Sequence, residues 1–439
     1  MFACSKCDAQ TSKWAGRCAE CGAWGTVGEE ADKASGGQGL RTFGAKAKAM
    51  KSAPLSGASA APKARIATTI GEMDRVLGGG LVPGSLVLLA GEPGIGKSTL
   101  VAMAAGRVAR ADPSMPPLSK GRIAQVLYVS GEESASQLAD RFTRLGLNPA
   151  SVNFLEPYPV ETLVASIEKE RPALAVIDSV QTLSSELVEG TPGSPTLVRY
   201  ATALLLDLCK RTDACVLLIG QVTKDGAVAG PKTLEHLVDV VLSLEGDPSH
   251  GYRLLRCMKN RFGSTDEVGV FEMAGSGLLP VENPSAKFLE ERAAVPGSVV
   301  AASLEGSRVF LVEVQALVEK SGYSTPVRRA SGFDAGRLTM LCAILSKRGG
   351  LSLADKDVYV NVIGGLTLTE PAADLAVCAA IAGAAKGTAS KEPVLYAGEV
   401  GLGGEVRSVP HLERRLAEAK RMGIGTVVTP KTLKSVSEL

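Results

Sequence analysis

Residues 91–99 read GEPGIGKST and separate two segments of opposite character. Ahead of them, Ser85–Ala90 (SLVLLA) is a short, mostly apolar run of the kind that forms a buried strand. Behind them, Leu100–Arg110 (LVAMAAGRVAR) has the composition of a helix. Strand, then G-x-x-x-x-G-K-[ST], then helix is the context of a phosphate-binding loop. Gly91, Gly94 and Gly96 let the backbone turn its N–H groups inward on an anion. Lys97 is placed to reach terminal phosphates, and the Ser98 hydroxyl to ligate Mg²⁺. Glu92, Pro93, Ile95 and Thr99 complete the loop, and the helix adds the positive end of its dipole. The segment implies that a nucleoside triphosphate binds here with Mg²⁺.

The regions around this loop extend the pattern. Gln125–Ser130 (QVLYVS), Ala173–Asp178 (ALAVID) and Ala214–Gln221 (ACVLLIGQ) read as buried strands. Helical segments lie between them at Ser134–Leu145, Val160–Glu170 and around Thr196–Arg211. Apolar strands alternating with helices imply a parallel sheet covered on both faces. Asp239–Glu245 and Tyr252–Met258 are expected to close it as an antiparallel extension. After a connector at 281–290, residues 291–439 read as a second α/β unit. Its strands fall at Ser298–Leu304, Arg308–Leu317 and Val358–Val362, and its helices at Arg337–Lys347, Ala372–Ala385 and Leu412–Arg421. A chain of 439 residues is too long for one core. The expected divisions are 1–25, 26–64, 65–280, 281–290 and 291–439.

Four of the nine cysteines fall within residues 1–25. Cys4-x₂-Cys7 and Cys18-x₂-Cys21 are two hooks, each able to offer two thiolates to one tetrahedral Zn²⁺. Gly22 suits the tight turn of the second hook, and Asp8 holds the equivalent place in the first. So short a segment has no core of its own, which makes a metal the natural staple. Residues 26–64 are Ala, Gly, Lys and Ser with few large apolar side chains, the composition of a flexible tether. The net charge of +2 gives no global argument for nucleic acid. The longest apolar runs, such as Ala376–Ala385, are about half of what a bilayer span needs. With no apolar signal core at the N-terminus, a cytoplasmic location and no membrane partner are expected.

Carboxylates at strand ends supply the rest of the chemistry. Asp178 ends ALAVID, where a Mg²⁺-orienting carboxylate is expected. Glu132 and Glu133 follow the strand ending at Ser130. Either can polarise a water attacking the γ-phosphate, and Glu132 is the favoured one. Gln221 ends its strand as a candidate γ-phosphate sensor, with Thr223 and Lys224 opening a loop. Lys259 and Arg261, two apart in KNRFG, point the same way and leave the sheet at an edge. There they are candidates to reach a neighbouring subunit's γ-phosphate.

The cysteine hooks, then TTIGEMDRVLGGGLVPGSLVLLAGEPGIGKST, YVSGEES, LAVIDSVQT, LIGQVTKDG and KNRFG, run in one order along the chain. Together they resemble the bacterial RadA (Sms) family of DNA repair proteins over nearly the whole length. The central part is also similar to the RecA, DnaB and KaiC ATPases. The resemblance implies a RecA-like core and a DNA-dependent ATPase. It further implies a hexameric ring that binds single-stranded and branched DNA and drives branch migration with the RecA recombinase. The expected cofactors are ATP, Mg²⁺ and Zn²⁺. The C-terminal region resembles the proteolytic domain of Lon. Ala372 stands where Lon has its serine, and Glu413 where it has the activating lysine, so fold without proteolysis is implied. An ATP-dependent Lon-type protease and a KaiC-like signalling ATPase are the alternative functions.

Overall fold

The computed structural model describes residues 2–4, 6, 9–11, 14–29, 64–109, 125–221, 234–246, 251–290, 292–323, 325–364 and 366–439. Cys7, Asp8, the tether from residue 30 to 63, and the loop of Thr223 and Lys224 lie outside the described residues. The chain divides into two units, Met1–Pro62 and Lys63–Leu439.

In the first unit, strands β1 (Phe2–Cys4), β2 (Gln10–Thr11) and β3 (Val27–Glu29) pair in the order β2-β1-β3, all antiparallel. Cys4, Cys18 and Val27 make its small buried centre.

The second unit is built on a nine-stranded sheet. Its parallel part comprises β4 (Leu86–Gly91), β5 (Val126–Ser130), β6 (Val152–Leu155), β7 (Leu174–Asp178), β8 (Cys215–Gln221) and β9 (Val240–Glu245). An antiparallel meander, β10 (Tyr252–Asn260), β11 (Val268–Ala274) and β12 (Gly277–Pro280), continues it. The order is β12-β11-β10-β9-β4-β8-β7-β5-β6. Residues of the central strands alternate between two cores. Val87, Leu89, Tyr128 and Val176 share one core with the helices α1 (Gly71–Leu77) and α2 (Lys97–Ala109). Leu88, Val129, Ile177 and Leu218 face α4 (Val160–Glu170) and α5 (Pro195–Thr212). Burial on both faces is why these strands read as continuous apolar runs. The helix α3 (Ala135–Arg144) is started by a Ser134–Gln137 capping box and buries Leu138 and Phe142, four residues apart.

One expectation changes and a second is refined. β9 is not part of the antiparallel extension, since it pairs parallel with β4, and only β10 to β12 reverse. β10 is an inner strand over Leu254–Arg256, where both β9 and β11 pair with it, but beyond Arg256 the pairing with β11 ends and Lys259 and Asn260 pair with β9 alone. The sequence reading lacks β6, β11 and β12: β6 and β12 have four residues each, and β6 is only half-buried, so its apolar signal is weak.

The C-terminal region holds a mixed six-stranded sheet ordered β15-β16-β14-β13-β17-β20. Its strands are β13 (Ser298–Glu305), β14 (Arg308–Lys320), β15 (Arg328–Ser331), β16 (Lys356–Val362), β17 (Val394–Tyr396) and β20 (Thr426–Val428). The pair β18 (Glu399–Val400) and β19 (Val406–Arg407) stands apart. Helices Ala335–Lys347, Asp374–Lys386 and Leu412–Arg421 match the expected segments. A short helix, Pro284–Leu289, lies within 281–290.

The two regions share packing. Val268 and Val270 of β11 join the C-terminal core. The β13–β14 turn abuts the end of KNRFGSTD, where the Ser307 N–H donates to Asp266 O at 2.6 Å. A Cβ on Gly306, at φ +61°, would lie 1.7 Å from that carbonyl. Beside it, Arg308 Nη1 meets the buried Glu72 Oε2 at 2.5 Å.

Candidate nucleotide site and cysteine module

The parallel strands deliver their ends to one place. In the sheet Gly91 is registered with Gln221 and Ser130 with Asp178. The loop at 91–96 leaves β4 with Gly94 at φ +75° and Gly96 at φ +113°, both left-handed. A Cβ on Gly96 would press to 2.8 Å from Met273 Cε, so the loop closes tightly on the meander. Lys97 is 7 % exposed. Its Nζ donates to Gly91 O at 2.9 Å and Glu92 O at 2.8 Å, curling over the loop that would hold phosphate. Burial lowers its pKa, while Glu132 and Asp178 act to raise it.

Asp178 is 2 % exposed. Tyr128 Oη donates to its Oδ2 at 3.0 Å, and its Oδ1 is buried with no hydrogen-bond partner. Burial pushes its pKa up, and the hydroxyls of Ser98 and Tyr128 oppose that. A buried, unsatisfied carboxylate oxygen beside Ser98 fits a hard cation. Mg²⁺ would be held by Ser98 and Asp178, with the nucleotide phosphates in the glycine loop.

The two glutamates separate. Glu132 Oε1 accepts from Ser179 Oγ at 2.8 Å and from Gln221 Nε2 at 3.0 Å, which places it over the site. Glu133 is held by Arg141 Nη2 at 2.5 Å. The structure therefore brings Lys97, Ser98, Glu132, Asp178 and Gln221 together and turns Glu133 aside. Sequence reasoning missed Tyr128, Ser179 and Arg253, whose Nε donates to Ile95 O at 3.3 Å under the loop. A phenol inside an apolar strand was the available signal for Tyr128, because a buried hydroxyl needs a partner.

Lys259 and Arg261 lie elsewhere. Lys259 Nζ donates to Glu235 O at 2.5 Å and Val238 O at 2.9 Å, and Arg261 Nη1 meets Asp239 Oδ1 at 3.2 Å. Asp239 in turn accepts from the N–H of Leu86, the first residue of β4. From there β4 must run its whole length to reach the glycine loop, about 16 Å at 3.3 Å per residue. The pair is at the opposite end of the sheet from its own chain's phosphate loop. Arg65 Nη2 also donates to Phe262 O at 2.8 Å, bracing the KNRFG turn.

In the first unit the sulfurs of Cys4, Cys18 and Cys21 lie within 4.8 Å of one another. Cys4 Sγ and Cys21 Sγ are 3.7 Å apart. A tetrahedron of 2.3 Å Zn–S bonds has edges of about 3.8 Å, so these residues fit zinc. The hooks match in their backbones. Cys4 N donates to Ala9 O at 3.0 Å and Cys18 N to Ala23 O at 2.9 Å. Gly22, at φ +68°, makes the turn of the second.

At the positions that the resemblance to Lon assigns to the dyad, Ala372 is buried in a 3₁₀ turn and Glu413 lies in the first turn of the helix Leu412–Arg421. Neither is a nucleophile or a base of the Lon kind. The neighbouring Arg415, with no exposed surface, grips Glu370 through two bonds of 2.6 and 2.5 Å.

Three family models match parts of the chain. Residues 2–29 match the family described as a rubredoxin metal binding domain, 54–227 an AAA domain, and 347–438 the Lon protease (S16) C-terminal proteolytic domain. The DNA repair protein RadA of Bacillus subtilis (strain 168) is 42% identical over 431 residues, covering 98% of this chain and 92% of that protein. The DNA repair protein RadA of Brucella abortus (strain 2308) is 44% identical over 439 residues, covering 98% and 91%. The crystal structure of the RadB recombinase aligns with 49% of this chain and 100% of its own, at 22% identity and a TM-score of 0.38.

Proposed function

Because the chain belongs to the family of the DNA repair protein RadA, we propose that it is an ATP-driven motor of recombinational DNA repair, extending heteroduplex by branch migration alongside the RecA recombinase. The observation that carries the chemistry is the convergence of Lys97, Glu132, Asp178 and Gln221 at the carboxyl ends of four parallel strands. In this reading the glycine loop binds the triphosphate of ATP and Lys97 leaves its carbonyl partners for the terminal phosphates. Mg²⁺, when bound, neutralises charge on the phosphate oxygens. Glu132 orients the attacking water and takes up its proton. Gln221 exchanges its bond to Glu132 for one to the γ-phosphate.

Lys259 and Arg261 act from a neighbouring chain, which makes the working form a ring, a homo-hexamer in the cytoplasm. Their separation from their own phosphate loop supports that. Single-stranded and branched DNA are the substrates of movement. Cys7 completes the zinc site with Cys4, Cys18 and Cys21. The domains follow the divisions 1–25, 65–280 and 291–439, joined by 26–64 and 281–290. The last domain serves assembly and a DNA-facing surface. Nothing favours a Lon-type protease or a KaiC-like switch, since the dyad positions are Ala372 and Glu413.

ATP turnover measured alone, with single-stranded DNA, and with DNA plus recombinase tests the proposal. Stimulation by DNA is expected, with Lys97→Ala silent throughout. Turnover indifferent to DNA would overturn it.

A further inference from the structure

Tyr128 takes no part in the chemistry above, yet its surroundings tie it to the metal side of the site. It lies in β5, registered with Val176 of β7, two residues before Asp178. With period-two alternation, Tyr128 and Asp178 stand on the same face of the sheet, toward α2 and the phosphate loop. The ring has no exposed surface and meets Phe142 of α3 edge-on, with centroids 6.3 Å apart and an interplanar angle of 83°. Its hydroxyl is therefore fixed, and it is spent on Asp178 Oδ2. The other oxygen, Oδ1, is left buried with no partner.

We infer that Tyr128 is a positioning residue for the divalent metal. By holding Oδ2, the phenol fixes the carboxylate plane and leaves Oδ1 for the metal that Asp178 and Ser98 would hold. A carboxylate without that bond is free to rotate, and each rotation costs metal affinity. Partners of this outer kind typically contribute about 10-fold to 100-fold in metal affinity. The inference rests on the assignment of Asp178 as the metal-side carboxylate.

The test is Mn²⁺ titration of the full-length protein saturated with ADP, read by the paramagnetic resonance signal of free Mn²⁺. Tyr128→Phe keeps the ring and its contact with Phe142. It is expected to weaken Mn²⁺ binding about tenfold, with ADP affinity in EDTA unchanged. Phe142→Leu, which loosens the same packing but keeps the phenol, is expected to match the parent. Asp178→Asn alone and combined with Tyr128→Phe should show equal losses. Unchanged Mn²⁺ affinity in Tyr128→Phe overturns the inference, as does an equal loss in Phe142→Leu or a further loss in the double variant. If Asp178→Asn itself leaves Mn²⁺ affinity intact, the reading of Asp178 fails instead. A second measurement needs no loss of the hydroxyl. With 3-fluorotyrosine at 128, adding Mg²⁺ to the ADP complex should shift its fluorine resonance, and a still resonance overturns the proposal.

Discussion

Glu132 and Glu133 are adjacent in the chain, equal in chemistry and different in consequence. Glu132 shares one oxygen between Gln221, the last residue of β8, and Ser179, the residue after β7. Glu133 is turned toward α3, where Arg141 binds one oxygen and leaves the other buried without a partner. In the proposed reading a water at the γ-phosphate meets the first, while the second is held by Arg141. Glu132→Gln is thus expected to retain ATP binding and lose turnover by about 10² or more, the scale of general-base catalysis. Glu133→Gln should keep most of the turnover, its effect showing instead as a lower melting temperature. Phosphate-release kinetics beside nucleotide titration separate the two. Equal losses of turnover in both variants would contradict the assignment.

At the scale of elements, two small devices do work that a core does elsewhere. In the cysteine module three sulfurs converge around a centre that, among the described residues, Val27 and a half-buried Ala9 help to fill. Metal binding and folding are coupled in so small a unit. Metal analysis after extensive dialysis should find one zinc per chain in the parent and a loss in Cys18→Ser. ATP turnover without partners should persist in Cys18→Ser, because the nucleotide site lies in the other unit. Zinc content equal in both proteins would defeat this. The second device is the β13–β14 turn on the ATPase sheet. Glu72 is buried, accepts the N–H of Val270 and pairs with Arg308. Removing one partner of a buried pair leaves the other's charge poorly compensated, and here Glu72 would keep only the longer contact to Arg75 Nε at 3.5 Å as its ion pair. Arg308→Ala should lower unfolding stability by about 3 kcal/mol, read as a leftward shift of the urea transition. No shift would mean that solvent replaces the arginine there.

For the whole molecule, the distance between Arg261 and the phosphate loop along β4 decides what a mixed population must do. A Lys97→Ala chain retains its arginine, and an Arg261→Ala chain retains its loop. In the proposed reading, in which Arg261 acts from the neighbour, one complete site forms where the good loop meets the good arginine across a subunit boundary. Mixtures of the two inactive proteins should regain ATP turnover that neither has alone, provided that pull-down of differently tagged chains confirms co-assembly. Co-assembled mixtures that stay inactive would count against action from the neighbour. Full activity of Arg261→Ala alone would return that side chain to its ion pair with Asp239 and no more.

The phosphate loop, the cysteine hooks and the parallel sheet were legible in the chain because each signal is local. A loop spacing, a CxxC pair and an apolar run are all complete within a dozen residues, and backbone sterics and burial act on them directly. The identity of the site's inner partners was not legible in that way. Gln221 meets Glu132 from 89 residues away, and Ser179 from 47, and only the lateral order β4-β8-β7-β5 makes them neighbours. Strand order likewise put β9 parallel to β4, against the expectation of an antiparallel extension, because an apolar run carries no direction. The Arg415–Glu370 pair beside the missing dyad follows the same rule. Local sequence determined which groups were available for chemistry. Tertiary structure decided which of them face one another, since that depends on registers between segments whose own sequences are silent about each other.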